Sequence, residues 1–427
     1  MNDSPQPVIA PNSNTMEFKF LSGVKIVDFT QFEAGPSCTE ALAWLGADVV
    51  KVEAPGTGDL GRTAMPTMLD PEGRGVGATF MRNNLSKRSV VIDLKQPEGL
   101  DLVLRLAPRF DVVAENFRSG AAERLGVAYD DIAAVHDRVV YLSISGFGRP
   151  VQPGAATSPY DGWPALAAIV EAMSGAYEFK RPEGQPPIGA PMGGLGDIVT
   201  ALFAVIGTLA ALRQRDRTGR AQLVDVAMLD AMVAVLDVVP NFWSMGAPMG
   251  TPWPGILHGF RANDGWFMLQ VLRTHQWPDL ARAIGRPEWA DDPRFASPQG
   301  WLEHLESDIR PAVESWAADK TKRAASEALN AAGLVAGPVA TDDEVVHDPH
   351  LAVRHMLVEH PRTDGVDQPV LIPGLPVKFA EVTEGPESRV PWLGEHTDDV
   401  LARELGLGAD ELAALRSQGA IGVSPVQ

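Results

Sequence analysis

Runs of β-branched residues separated by helix-like stretches dominate the first third of the chain. VKIVDFT (24–30), ADVVKVE (47–53), SVVIDL (89–94), DVVAEN (111–116) and VVYLSISGFG (139–148) predict strands, while CTEALAWLG, PEGLDLVLRLAPR and SGAAERLG predict helices between them. Strands that alternate with helices imply right-handed crossovers and a parallel sheet covered on both faces, so the fold class is a doubly wound α/β domain. Ligands of such sheets bind beyond the C-terminal strand ends, where strand order reverses. The loops TQFEAGP (30–36), ENFRSG (115–120) and SGFGRP (145–150) all follow strands and are candidates to meet there. No GxGxxG fingerprint opens the first helix, which counts against a nicotinamide or flavin dinucleotide.

Further on, GGLGDIVTALFAVIGT (193–208) sets a single carboxylate, Asp197, between a glycine-rich turn and an apolar helix. The ordinary reading is an N-cap, whose oxygen accepts from the first free N–H groups of the helix. The chemical reading starts from Gly193, Gly194 and Gly196, which let another molecule approach closely. A positioned, poorly hydrated carboxylate is a competent nucleophile, favoured as an ion by the helix N-terminus and disfavoured by burial. After the helix come a charged turn, RQRDRTGR, a strand, AQLVDVAM, and another helix. FWSMGAPMGTPWPGILHGF, between about 240 and 262, is too rich in breakers for a regular element and too aromatic for a disordered linker. The expected organisation is a disordered tail (1–16), a large α/β domain (17–235), an ordered linker or lid (236–262), a smaller α+β domain (263–350) with a strand at 265–272, and a return with C-terminal helices (351–427). There is no internal repeat.

Composition narrows the function. Lys and Arg total 36 against 55 Asp and Glu, a formal charge of -19 over 427 residues, which argues against nucleic acid or an anionic membrane as the main partner. The longest apolar stretch, Ile198 to Leu212, is 15 residues, short for a membrane span. Cys38 is the only cysteine, so no intrachain disulfide forms and a cytoplasmic location is expected; it falls on an apolar helix face as a structural thiol. His347, His350, His355 and His360 lack both the spacing and the cysteine partners of a zinc site, so no metal is expected. No GxSxG elbow follows a strand. Glu33, in EAGP, stands at a strand end where a doubly wound fold puts its ligand. If Glu33 and Asp197 meet, their ionisations couple and one pKa rises.

Six blocks, in order, carry a resemblance: LSGVKIVDFTQFEAGPSCTEALAWLGADVVKVEAPGTGD, NNLSKRSVVIDLK, ENFRSGAAERLG, GLGDIVTALFAVIGTLAALRQRDRTGRAQLVDVAMLDA, AGPVATDDEVVHDPHL and LGEHTDDVL. Together they resemble the class III CoA-transferases, from about residue 20 to 420. The resemblance implies an interlocked homodimer whose large domain is completed by the C-terminal segment. It implies that Asp197 is the nucleophile, forming first an anhydride with the donor acyl group and then an aspartyl-CoA thioester. The substrates would be an acyl-CoA, with a dicarboxylyl-CoA such as succinyl-CoA as donor, and a carboxylic acid acceptor, with no tightly bound cofactor. Backbone N–H groups around Gly194 and Gly196 would stabilise oxyanions. Carried across position by position, the CoA contacts are Ile92 and Lys95 in IDLK, Asn116 and Phe117 in ENF, Arg124 and Leu125 in ERL, and Met228 in VAM.

Three departures stand out. Glu33 replaces a glutamine of oxalate-type members and can donate only if protonated, which makes oxalate a poorer acceptor. Ala54 replaces an arginine near the adenine. APMGTPWPGILHG replaces a glycine-run loop and suggests a larger or less polar acyl group. An α-methylacyl-CoA racemase of the same fold would pair the aspartate with a histidine, but SPYDGWPAL has Tyr160 there, and no histidine lies between His136 and His258. Intramolecular transfer within one dicarboxylic acid and a non-catalytic CoA-binding protein are the remaining alternatives. Tyr160 and Glu33 are auxiliary candidates to shape the site or handle a proton.

Overall fold

The structure is a computed structural model that describes residues 20–422 apart from 153, 179–180, 182–183, 190–192, 248–253, 363 and 381–388. The tail expected at 1–16 and the centre of the expected lid, 248–253, lie outside the described residues. The chain divides into two compact units, with boundaries after Gly250 and after Ala352.

The larger unit is built on six parallel strands: β1 (Lys25–Asp28), β2 (Asp48–Glu53), β3 (Arg88–Val91), β4 (Val112–Glu115), β5 (Val140–Ser145) and β6 (Gln222–Ala227). Their order is β3-β2-β1-β4-β5-β6, so strand order reverses between β1 and β4. This is the order of Rossmann-type sheets. Alternate residues of each strand feed opposite faces. On one face Val27, Val50, Val90 and Val113 pack with Leu102, Val103 and Leu106 of helix Pro97–Leu106. On the other, Ile26, Val49, Val112 and Leu142 pack with Cys38 and Leu42 of α1 (Ala34–Trp44) and with Ala201, Ala204 and Ala211 of the helix Leu195–Thr218. Small residues let that 24-residue helix lie close on the sheet. Cys38 is fully buried, and burial together with the nearby Asp28 charge pushes its thiol far up.

The chain returns to this unit at its C-terminal end. Ala420 O accepts from Asp93 N (2.9 Å), Gly422 N donates to Val91 O (3.2 Å), and Thr397 Oγ1 accepts from Val91 N (3.0 Å), so the free edge of β3 is covered.

In the smaller unit, β7 (Ile256–Ala262), β8 (Gly265–Val271) and β9 (Val335–Pro338) form an antiparallel sheet of order β9-β8-β7 over a core that includes Trp277, Trp289, Phe295 and Trp301. The segment expected to be loop from 236 to 262 thus differs: it contains helix Val238–Ser244 and β7, whose buried Ile256, Phe260 and Ala262 pair across to β8.

Candidate functional site

Buried charge fixes the loop after β1. The Asp28 carboxylate accepts from Thr30 N (2.9 Å) and from the hydroxyls of Thr30 (2.5 Å) and Thr39 (2.8 Å). Lys51 Nζ donates to Thr30 O (2.6 Å) and pairs with Asp59 (2.7 Å), and Lys87 Nζ reaches Asp28 at 3.1 Å. Asp28, Lys51, Lys87 and Asp59 side chains are all fully buried. Although burial opposes its charge, the Lys51 and Lys87 cations and the threonine hydroxyls hold the Asp28 carboxyl well below the usual range. Asp59 also accepts from Phe32 N (2.9 Å), which fixes Phe32 in the left-handed region at φ 69°. That is a strained conformation for an aromatic residue, and it sits immediately before Glu33. From the other side of the switch point, Asn116 on the loop after β4 accepts from Gln31 N and donates to Gln31 O, both at 2.8 Å.

Glu33 is thereby delivered to the head of the long helix. A Cβ on Gly194 would stand 2.8 Å from Glu33 Oε1, and Gly194 has φ +77°, so glycine is required there on both counts. Glu33 pairs with Arg82, from helix α2 (Ala78–Asn83). Burial raises the Glu33 carboxyl and Arg82 opposes that rise.

Asp197 is in the first turn of the helix rather than at its cap. The N-cap is Gly194, with no side-chain cap, so the N-cap reading of Asp197 does not hold. The capping oxygen comes from Glu171 of helix Ala167–Met173, whose buried carboxylate accepts from Gly196 N (2.9 Å) and from the Tyr177 hydroxyl (2.5 Å). Asp197 is half-buried and accepts no hydrogen bond among the described residues. Burial first, then the Glu33 and Glu171 charges, push its carboxyl up to about 7, with Arg82 opposing.

Asp197 and Glu33 share one cleft of about 490 Å³ at the strand ends. Tyr160, Asn116, Phe117, Arg124 and Met228 line it as well, so the three predicted loops do converge. Phe147, Tyr160 and Trp163 form an aromatic wall, with ring centroids 5.3 Å apart for Phe147–Tyr160 and 5.1 Å for Tyr160–Trp163. Ile92, Lys95, Leu125, Gly194 and Gly196 are not among the lining residues. Ile92 is core, Leu125 packs against that core, and Lys95 is exposed. The Gly196 N–H is committed to Glu171, which leaves it with a capping bond rather than a free oxyanion donor. Arg82 and Glu171 went unnoticed in the sequence, where one is a cation among polar neighbours and the other an isolated acid in an apolar helix.

The family model described as CoA-transferase family III matches residues 21–397. The chain is similar to a formyl-CoA:oxalate CoA-transferase from Streptomyces avermitilis, at 34% identity over 94% of this chain and 100% of that protein. It is similar to a succinyl-CoA:mesaconate CoA-transferase from Haloarcula hispanica, at 33% identity over 91% of this chain and 97% of that one. Among solved structures, a CaiB/BaiF family protein from Brucella suis matches with a TM-score of 0.78 and 30% identity, covering 90% of this chain and 99% of that chain. Rv3272 from Mycobacterium tuberculosis matches with a TM-score of 0.75 and 29% identity, covering 89% and 98%.

Proposed function

Because the chain belongs to CoA-transferase family III and is a CoA-transferase, we propose that it moves CoA from a dicarboxylyl-CoA such as succinyl-CoA to a free carboxylic acid through covalent intermediates on Asp197. The observation that carries this is the state of Asp197: half-buried, without a hydrogen-bond partner among the described residues, and on the wall of the cleft. An acid serving only to cap its helix would be engaged by the backbone; here Glu171 does that work.

The Asp197 carboxylate attacks the donor thioester carbonyl, and the carbon–sulfur bond breaks to release CoA thiolate and leave a mixed anhydride. The thiolate attacks the Asp197 carbonyl of that anhydride, which forms the aspartyl-CoA thioester and frees the donor acid as a carboxylate. The acceptor carboxylate attacks the aspartyl-CoA carbonyl and expels the thiolate again. Thiolate attack on the acceptor carbonyl of the second anhydride yields acceptor-CoA and restores the Asp197 carboxylate. The aromatic wall of Phe147, Tyr160 and Trp163 keeps water from the activated acyl group. A carboxylate that ionises near neutrality is more basic than an ordinary aspartate and correspondingly more nucleophilic.

Binding of the CoA moiety is assigned to Asn116, Phe117, Arg124 and Met228 on the cleft, with Lys95 as an exposed cation for a phosphate. The homodimer is supported by the long helix, whose Ile198, Leu202, Phe203 and Ile206 are 39%, 59%, 37% and 61% exposed in the single chain. This helix is long and apolar enough to cross a bilayer by length and composition. Its opposite face lies on the sheet and its Arg215 pairs with Asp111 at 2.7 Å, so a protein partner suits the exposed stripe better.

The test is intact-mass spectrometry after mixing with a panel of acyl-CoAs and trapping with hydroxylamine. A modification that maps to Asp197 and disappears in Asp197→Ala supports transfer; α-proton exchange with deuterated water and no modification would replace it with racemisation.

A further inference from the structure

Among the described residues, Arg82 is the cation whose charge opposes the rise of both the Glu33 and the Asp197 carboxyls. Its side chain is 43% exposed, against 6% for the Glu33 side chain that it pairs with. Among the described residues the guanidinium hydrogen-bonds only to that carboxylate, through one terminal nitrogen, while its charge also acts on the buried Glu40. An arginine presents five N–H donors in a planar fork, so donors remain for a second carboxylate. Arg82 meets the cleft through its pair with Glu33 and is not itself a lining residue; the arginines that line the cleft are Arg118, Arg124 and Arg149. Arg149 spans Glu115 (3.2 Å) and Glu123 (3.0 Å), the Arg124 guanidinium lies by Gly120 on the segment after β4, and Arg118 is exposed on that same segment.

An acyl chain ending in a carboxylate meets a difficulty here. Its terminal charge would lose water against the apolar wall and be repelled by Glu33 and Asp197, and such a charge is tolerated only with a counter-ion. We propose that Arg82 is the specificity-determining residue for acyl groups that end in a second carboxylate, with the substrate's distal carboxylate joining Glu33 on the guanidinium fork. Glu33 is suited to share. Burial raises its carboxyl, which eases the approach of a second carboxylate to the shared guanidinium. An acyl group with a methyl end makes no use of Arg82.

This inference rests on the CoA-transferase reading, so its test separates binding from turnover. In an Asp197→Asn background, which blocks transfer, calorimetry measures the Kd of succinyl-CoA and of butyryl-CoA, which differ in a terminal carboxylate against a methyl. With Arg82 present, succinyl-CoA binds roughly tenfold or more tightly than butyryl-CoA. Arg82→Met removes that advantage and leaves butyryl-CoA within about twofold, Arg82→Lys restores part of it, and Glu33→Gln keeps it. Equal affinity for the two ligands in the parent, or equal loss of both in Arg82→Met, overturns the assignment. Arg82→Lys serves the same comparison if Arg82→Met does not fold. Hydroxylamine trapping on the wild-type protein with the same two donors reports separately: discrimination without an Asp197 adduct removes transfer and keeps the dock, and an adduct without discrimination removes the dock alone.

Discussion

Gly196 donates its backbone N–H to the Glu171 carboxylate at 2.9 Å, so the helix that carries Asp197 is capped from a different helix. Asp197, the proposed nucleophile, is released from a structural duty that its position would otherwise impose, and a second negative charge is held close to it.

That arrangement predicts a pH profile. On the proposed route attack requires the Asp197 carboxylate, so kcat/KM should rise with pH through about 7. Glu171→Gln keeps an oxygen for Gly196 N–H but removes a charge that raises Asp197, and Glu33→Gln removes another. Each variant should move the acid limb to lower pH, by roughly half to one unit. A limb unmoved in both would mean that a different group sets it.

Asp197 should also cost the fold stability. Its carboxyl ionises at an ordinary 3.8 when unfolded and at about 7 when folded, so the folded state binds the proton more tightly. Stability is therefore full below 3.8 and declines as pH rises through about 7. Asp197→Asn escapes this decline. Urea unfolding should show it more stable than wild type at pH 8 by on the order of 1–3 kcal/mol, allowing for partial exposure, and little different at pH 3.5, with transfer lost.

The loop after β1 makes an opposite prediction. Lys51→Met leaves Asp28 and Asp59 short of a buried partner, and should destabilise the large unit by about 3–5 kcal/mol in denaturant titrations. The Asp28 carboxyl is lowered, so its contribution is present above the ordinary 3.8 and is lost as pH falls through the lowered value.

If the stripe on the long helix is a dimer surface, Leu202→Asp combined with Ile206→Asp should convert the dimer to monomer in light scattering behind size exclusion. A single mass for both proteins would remove the dimer assignment. In a monomer these changes would fall on exposed helix positions and alter stability by less than about 1 kcal/mol.

The parallel sheet is legible because β-branched runs such as ADVVKVE and VVYLSISGFG alternate with helical stretches such as CTEALAWLG and PEGLDLVLRLAPR. Glu33 and Asp197 were legible one at a time, each from its place after a turn. Their meeting depended on Gly194 lying against Glu33, which no spacing encodes. Glu171 looks like any acid in a short helix until the partner N–H of Gly196, 25 positions away, is seen. β7 is hard to read from sequence because Gly259 breaks its alternation and its regularity comes from pairing with β8.

Asn116 holds position 31 by its main chain alone, through N–H and C=O, yet Gln31 is part of the cleft lining. Position 31 is therefore decoupled: its identity can drift without moving Glu33 two residues later. Proline, which lacks the N–H, is the obvious exception. Across an evolving lineage, such a site permits changes of substrate preference while the reactive centre stays constant, and in the laboratory it is a natural first position for a saturation library.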